Sequence, residues 1–220
     1  MARRFPQRRF AVSLDDAELT FNAAHFVAFP LAVPNPDAAF AFDATAPDVV
    51  CINNGDVLAP AALRSASEPA WLGEPIHGHD FRVSIRVEGP RDASGCVLDF
   101  IAARRALLEI AASWNHRTIL ATRAPETEYR ETPPTPENPV GEIAVLWRGA
   151  PAPRRWVVPL DAVAWLDALN ASTEEIASVL LDRWLEKIVE LGALPFPASE
   201  YRFALRLEES PGAFAEVLLG

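Results

Sequence analysis

The stretch 77–89, HGHDFRVSIRVEG, constrains the fold of this chain more than any other. From Phe81 onward apolar and polar side chains alternate strictly. Phe81, Val83, Ile85 and Val87 fall on one side and Arg82, Ser84, Arg86 and Glu88 on the other, the period of a half-buried strand. Such a strand belongs in a sheet that has one face covered. His77 and His79 stand at its start, two residues apart, so both imidazoles leave the same face.

The remaining segments supply that sheet and its cover. Residues 8–29 are mostly apolar with period-2 features and read as one strand, or two broken at Asp15-Asp16. Residues 95–100, GCVLDF, read as a further strand after a turn over 90–94. Apolar residues recur at helical spacing over 101–114. A second helix starts at a cap on Ser172 or Thr173, carries Glu174 and Glu175 in its first turn, and stops at Gly192 and Pro195. EIAVLWRG and RRWVVPL form a hairpin pattern, and YRFALRLEES closes the chain as a strand with a short tail. Residues 125–139, with five prolines, read as loop. Residues 30–71 are rich in Pro, Ala, Asn and Gly and read as a long surface excursion with a short apolar element over 49–52. This order of elements predicts an α+β domain with antiparallel strands.

Composition narrows the function classes. No run approaches the roughly 18 uninterrupted apolar residues of a membrane span. The basic start, MARRFPQRRF, lacks a following apolar segment and is not a secretory signal. A formal charge of −10 argues against a nucleic-acid footprint. Cys51 and Cys96 make no disulfide framework, which fits a reducing cytoplasm.

The chain has only four histidines. His25 sits in FNAAHF, on the other strand candidate, where it can join His77 and His79 as a third nitrogen donor. Three protein donors with the fourth position open is the arrangement of a catalytic zinc site. From the residues alone the bland reading also stands, in which these are satisfied core histidines.

FNAAHF (21–26), HGHDFRVSIRVEG (77–89) and GCVLDF (95–100) resemble the 6-pyruvoyl-tetrahydropterin synthases and the related 6-carboxytetrahydropterin synthases. The resemblance implies that His25, His77 and His79 hold one zinc ion. SWNHRTIL (113–120) is similar to the family's Asp-His-x-x-Leu segment, which makes His116 a proton-transfer group with Asn115 in the place of its aspartate. STEEIA (172–177) is similar to the Thr-x-Glu-Asn signature that opens the second helix, giving Thr173 and Glu174 a part in substrate binding. PTPEN (134–138) spells that signature more literally but precedes a hairpin. LEESPG (207–212) resembles the strand end whose glutamate anchors the pterin ring, here Glu209.

The resemblance implies the tunnelling fold (T-fold), an antiparallel sheet with two helices packed on one face, as a single domain over 1–220. Insertions stand at about 30–71 and, as a loop and hairpin, at about 124–165. It also implies a homo-oligomer and a zinc-dependent carbon–oxygen or carbon–carbon lyase. The substrate would be a 7,8-dihydroneopterin derivative or its triphosphate, cut by elimination or by side-chain cleavage. The alternative is a pterin-binding homologue that keeps zinc and has lost or changed the chemistry. Two departures motivate it. The family's catalytic cysteine lies four residues before His77, where this chain has Gly73, and Asn115 carries no charge to orient His116. Glu74 is the substitute base, or else a solvated loop residue. Cys51 is a remoter substitute, and Cys96 reads as core.

Overall fold

The computed structural model describes residues 9–30, 52–53, 56–57, 71–149 and 152–220. In chain order the strands before the first helix are β1 (Phe10–His25), β2 (Ala28–Pro30), β3 (Ile52–Asn53), β4 (Asp56–Val57), β5 (Trp71–Gly73) and β6 (His77–Gly89). Helix α1 (Phe100–Trp114) is followed by β7 (Arg117–Ala121), β8 (Thr127–Thr132), β9 (Glu142–Trp147), β10 (Arg154–Pro159) and β11 (Val163–Leu166). Helix α2 (Thr173–Glu190) leads into β12 (Arg202–Ser210) and β13 (Ala213–Leu219). No described helix is long and apolar enough to cross a membrane.

The chain divides into two units. The first comprises Met1–Phe26, Ile76–Ala124 and Asp161–Gly220, and holds both helices and a six-stranded sheet of order β11-β7-β1-β6-β12-β13. Its β1-β6-β12-β13 run is antiparallel, as the alternation predicts, while β7 and β11 add to it in parallel. The second unit comprises Val27–Pro75 and Pro125–Leu160. It holds the three-stranded β10-β9-β8 sheet, the β2-β5 pair and the β3-β4 pair.

Strand β1 is one strand with an irregularity. Its register against β6 jumps between Asp15↔Ser84 and Thr20↔Arg82, so four residues of β1 stand opposite Val83 alone. An odd number of extra residues inverts the pleat. Before the bulge Phe10, Val12 and Leu14 pack toward the core; after it Leu19, Phe21, Ala23 and His25 do. The bulge is tied down locally, because Asp16 Oδ1 accepts the Glu18 amide at 2.8 Å and the Arg104 guanidinium from α1 binds both Asp16 and Glu18.

Both helices cover the apolar face. In α1, Ala103, Ala106, Leu107, Ile110, Ala111 and Trp114 are buried, the i, i+3, i+4 stripe of an amphipathic helix. Asp99 caps it by accepting the amides of Ile101 and Ala102. In α2 the stripe is Ile176, Ala177, Leu180, Leu181, Trp184 and Ile188, with Ser172 as the cap. Trp184 is fully buried and donates its indole N–H to the Ala103 carbonyl at 2.9 Å. Burying one aliphatic side chain of these stripes, such as Leu107 or Leu180, stabilises the fold by roughly 1.5–3 kcal/mol.

Four expectations fail here. Residues 95–99 are not a strand. Asp92 Oδ1 accepts from the amides of Ser94 and Cys96, winding a turn that ends at the Asp99 cap. Cys96 is therefore an exposed free thiol rather than core. The 125–139 loop contains β8, whose prolines stand outside its ends and leave the ladder amides intact. The closing tail is a strand, β13, turned back on β12 through Gly212 at φ 87°. Cys51 and most of the 49–52 element lie outside the described residues.

Candidate metal centre

The inverted pleat of β1 and the regular pleat of β6 deliver three histidines to one spot. His25 pairs directly with His77 across the ladder, and Ala23 pairs with His79. All three imidazoles leave the helix-covered face. Ring centroids lie 4.7 Å apart for His25–His77, 4.8 Å for His77–His79 and 5.3 Å for His25–His79. Glu209 joins them from β12, two residues beyond the inward-facing Leu207. One donor atom from each of His25, His77, His79 and Glu209 lies within 4.8 Å of all the others.

Proton placement explains what this cluster is suited to hold. His25 is buried at 1% exposure, and its Nδ1 lies 2.6 Å from the Ala171 carbonyl, which can only accept. The proton therefore sits on Nδ1, and Nε2 presents a lone pair. That lone pair faces Glu209 Oε1 at 3.2 Å, and His79 Nε2 lies 2.9 Å from the same oxygen. These separations are short, yet neither Nε2 has a hydrogen-bond partner. Burial pushes the His25 imidazole below its ordinary range; the Ala171 carbonyl opposes this, His77 reinforces it, Glu209 opposes it and His79 reinforces it. The His25 Nε2 lone pair, two further imidazoles and a carboxylate converging on one spot form a donor set that a divalent cation satisfies. The other carboxylate oxygen, Oε2, accepts the Thr173 hydroxyl at 2.5 Å.

The cluster borders a cavity of about 650 Å³, lined among others by Asn22, His79, Asp80, His116, Arg117 and Glu209. His116 is exposed and has φ 58°, the left-handed region that is costly for a side chain larger than glycine's. It is held there from β1. The His116 amide donates to the Asn22 carbonyl at 2.6 Å, and Asn115 Oδ1 accepts the Asn22 amide at 2.9 Å. An amide oxygen makes that contact as well as a carboxylate does, so Asn115 supports the turn through its shape rather than through charge. Glu174 is exposed in the first turn of α2, whereas Thr173 is buried.

Glu74 follows β5 in the second unit, and its amide donates to the Val27 carbonyl at 3.0 Å. At Gly73 a Cβ would fall 2.6 Å from Cε2 of the buried Trp147. At Gly149 one would fall 2.0 Å from Cζ2 of the same indole. Trp147 fills the room a side chain at 73 would need.

Comparison with known proteins decides the family. Residues 64–218, well over half of the chain, match the family model for 6-pyruvoyl tetrahydropterin synthase. The chain belongs to this family. A Pyrococcus horikoshii protein assigned as a 6-carboxy-5,6,7,8-tetrahydropterin synthase is 26% identical over 143 residues, covering 64% of this chain and 73% of that protein. Among solved structures, the 6-pyruvoyl tetrahydropterin synthase of Plasmodium falciparum superposes with a TM-score of 0.66 at 19% identity, covering 97% of this chain and 99% of that one. The Plasmodium vivax enzyme gives 0.65 at 17%, with the same coverage. The fold is thus the tunnelling fold of these synthases, α+β with two helices on the sheet, and members of the 6-pyruvoyl tetrahydropterin synthase family are lyases.

For this synthase-family chain, sequence reasoning placed Glu209 at a pterin ring and had no reason to set it beside the histidines. The sign was present in the alternation: Phe203, Leu205, Leu207 and residue 209 share one face of β12. The Ala171 carbonyl and the Asn22 backbone carry no side-chain signal at all.

Proposed function

We propose that this protein is a zinc-dependent pterin enzyme that acts on the side chain of a 7,8-dihydroneopterin derivative, or its triphosphate, by elimination or side-chain cleavage. The observation that carries the proposal is the His25–His77–His79 cluster beside a cavity that His116 also lines. These three histidines would hold zinc, which when bound supplies Lewis-acid polarisation of the substrate's side-chain hydroxyls. His116, exposed at the cavity and braced by Asn115, moves a proton to or from the side chain. Glu74 takes the place of the missing cysteine as base. A Plasmodium vivax protein of the same fold has been solved with a catalytic glutamate replaced by alanine, so a carboxylate serves catalysis on this scaffold. Glu209, with Thr173 and Glu174 nearby in the chain's second helix, orients the ring through paired hydrogen bonds to its N–H groups.

The single domain over 1–220 is read as assembling into a homo-oligomer. Among the described residues β11 and β13 are sheet edges, and β13 exposes Leu218 and Leu219. A chain with two cysteines, one of them an exposed free thiol, suits the cytoplasm.

The second reading, a pterin binder without the chemistry, is favoured by the Trp147 packing that excludes a thiol at 73. Turnover of dihydroneopterin triphosphate separates the two. On the enzyme reading Glu74→Ala and His116→Ala each lower kcat by about 10²–10⁴-fold, the worth of a general acid or base. Wild-type protein that binds the pterin and gives no product contradicts the enzyme reading.

A further inference from the structure

We propose that Glu209 is a fourth protein donor to the metal in the substrate-free protein, and that substrate enters only by displacing it. This rests on the metal reading above and concerns a different residue. Glu209 Oε1 stands 3.2 Å from His25 Nε2 and 2.9 Å from His79 Nε2, with no hydrogen bond to either ring. The His25 proton is on the far nitrogen, committed to Ala171, so the buried Nε2 and the carboxylate oxygen meet as lone pair against lone pair. Such a contact is repulsive unless a cation lies between them. A carboxylate oxygen aimed into a set of imidazoles occupies the position that three histidines alone would leave open.

The same geometry has a consequence for ligand binding. Both oxygens of Glu209 are engaged, Oε1 at the histidines and Oε2 with the Thr173 hydroxyl. While Oε1 is turned to the histidines, the two oxygens do not both face a ring's paired N–H groups. Orienting a ring would therefore turn Glu209 from the metal cluster toward the cavity, which it also lines. Thr173, at the start of α2, holds it at the cluster.

Zinc affinity of the full chain, measured by competition with a chromogenic chelator, and the visible absorption of the cobalt-substituted protein test this directly, with circular dichroism to establish folding. Glu209→Gln keeps the volume and removes the charge. It is expected to weaken zinc binding by about tenfold or more and to change the cobalt spectrum. Thr173→Val, which releases only Oε2, is expected to weaken binding less and to keep the wild-type spectrum. His79→Ala serves as the reference for losing one nitrogen donor. Wild-type affinity and an unchanged spectrum in Glu209→Gln, while His79→Ala loses metal, overturn the role of Glu209 and leave the histidine site standing. A wild-type protein that binds neither ion overturns both.

Discussion

At the scale of single residues, the chemistry of this chain turns on which atom carries a proton and which space is already filled. His25 is positioned as a neutral donor by one backbone carbonyl, and Glu209 by one threonine hydroxyl. Position 73 is the clearest case of filled space. Trp147 lies in a slot between Gly73 and Gly149, and any side chain at 73 meets the indole. Gly73→Cys, which restores the residue expected of the family, should therefore destabilise the protein by about 1–3 kcal/mol through overpacking. Urea unfolding of the variant checks this, and unchanged stability would show that Trp147 yields easily. The histidines were legible in the sequence because a pleat has period two, so His77 and His79 declare a common face. The main-chain partners of His25 and His116 were not, since a carbonyl looks the same at every residue.

At the scale of elements, the bulge in β1 decides which face His25 occupies. Four residues opposite one leave an odd excess, and the pleat inverts between Leu14 and Leu19. Deleting one residue from the exposed part of the bulge, for example Ala17, makes the excess even and turns Leu19, Phe21, Ala23 and His25 outward together. Deleting two keeps the parity. The single deletion is expected to lose both zinc and cooperative melting, and the double deletion to keep both with a lowered Tm. Equal behaviour of the two would mean that parity does not set the site. The sequence marked Asp15-Asp16 as a break, which is the right place, but the count of extra residues depends on the partner strand and is invisible in β1 alone. Strands β7 and β11 escaped for another reason. RTILA and VAWL are only five and four residues long and carry no strict apolar–polar alternation to read.

At the scale of the whole molecule, the fold follows from long-range pairing that joins both chain ends. Strand β6 lies between β1 and β12, so residues from near the start, the middle and the end of the chain meet at one centre. The second unit likewise draws on two distant stretches, and its β8 was hidden by the prolines that bracket it. Acid stability follows from the titrating groups. The folded-state pKa of His25 lies below its unfolded value of 6.5, so between the two the unfolded chain binds more protons and stability rises with pH. The metal-free protein should thus lose Tm as pH falls below about 6.5. A second loss sets in as pH falls through the ordinary carboxylate range, where the unfolded chain takes up protons that Asp16, Asp92, Glu109 and Glu128, held below that range in the fold, still resist. Melting curves at stepped pH read both, and His25→Gln should remove the first step alone.

The central claim is the proposal that His25 from β1 and His77 and His79 from β6 hold one zinc ion. Elemental analysis of the protein, purified without added chelator and then dialysed against zinc, tests it most directly. The account predicts one zinc per chain, falling to a small fraction of that in His79→Ala. Protein that stays free of zinc after dialysis, or that binds it equally well without His79, would contradict it.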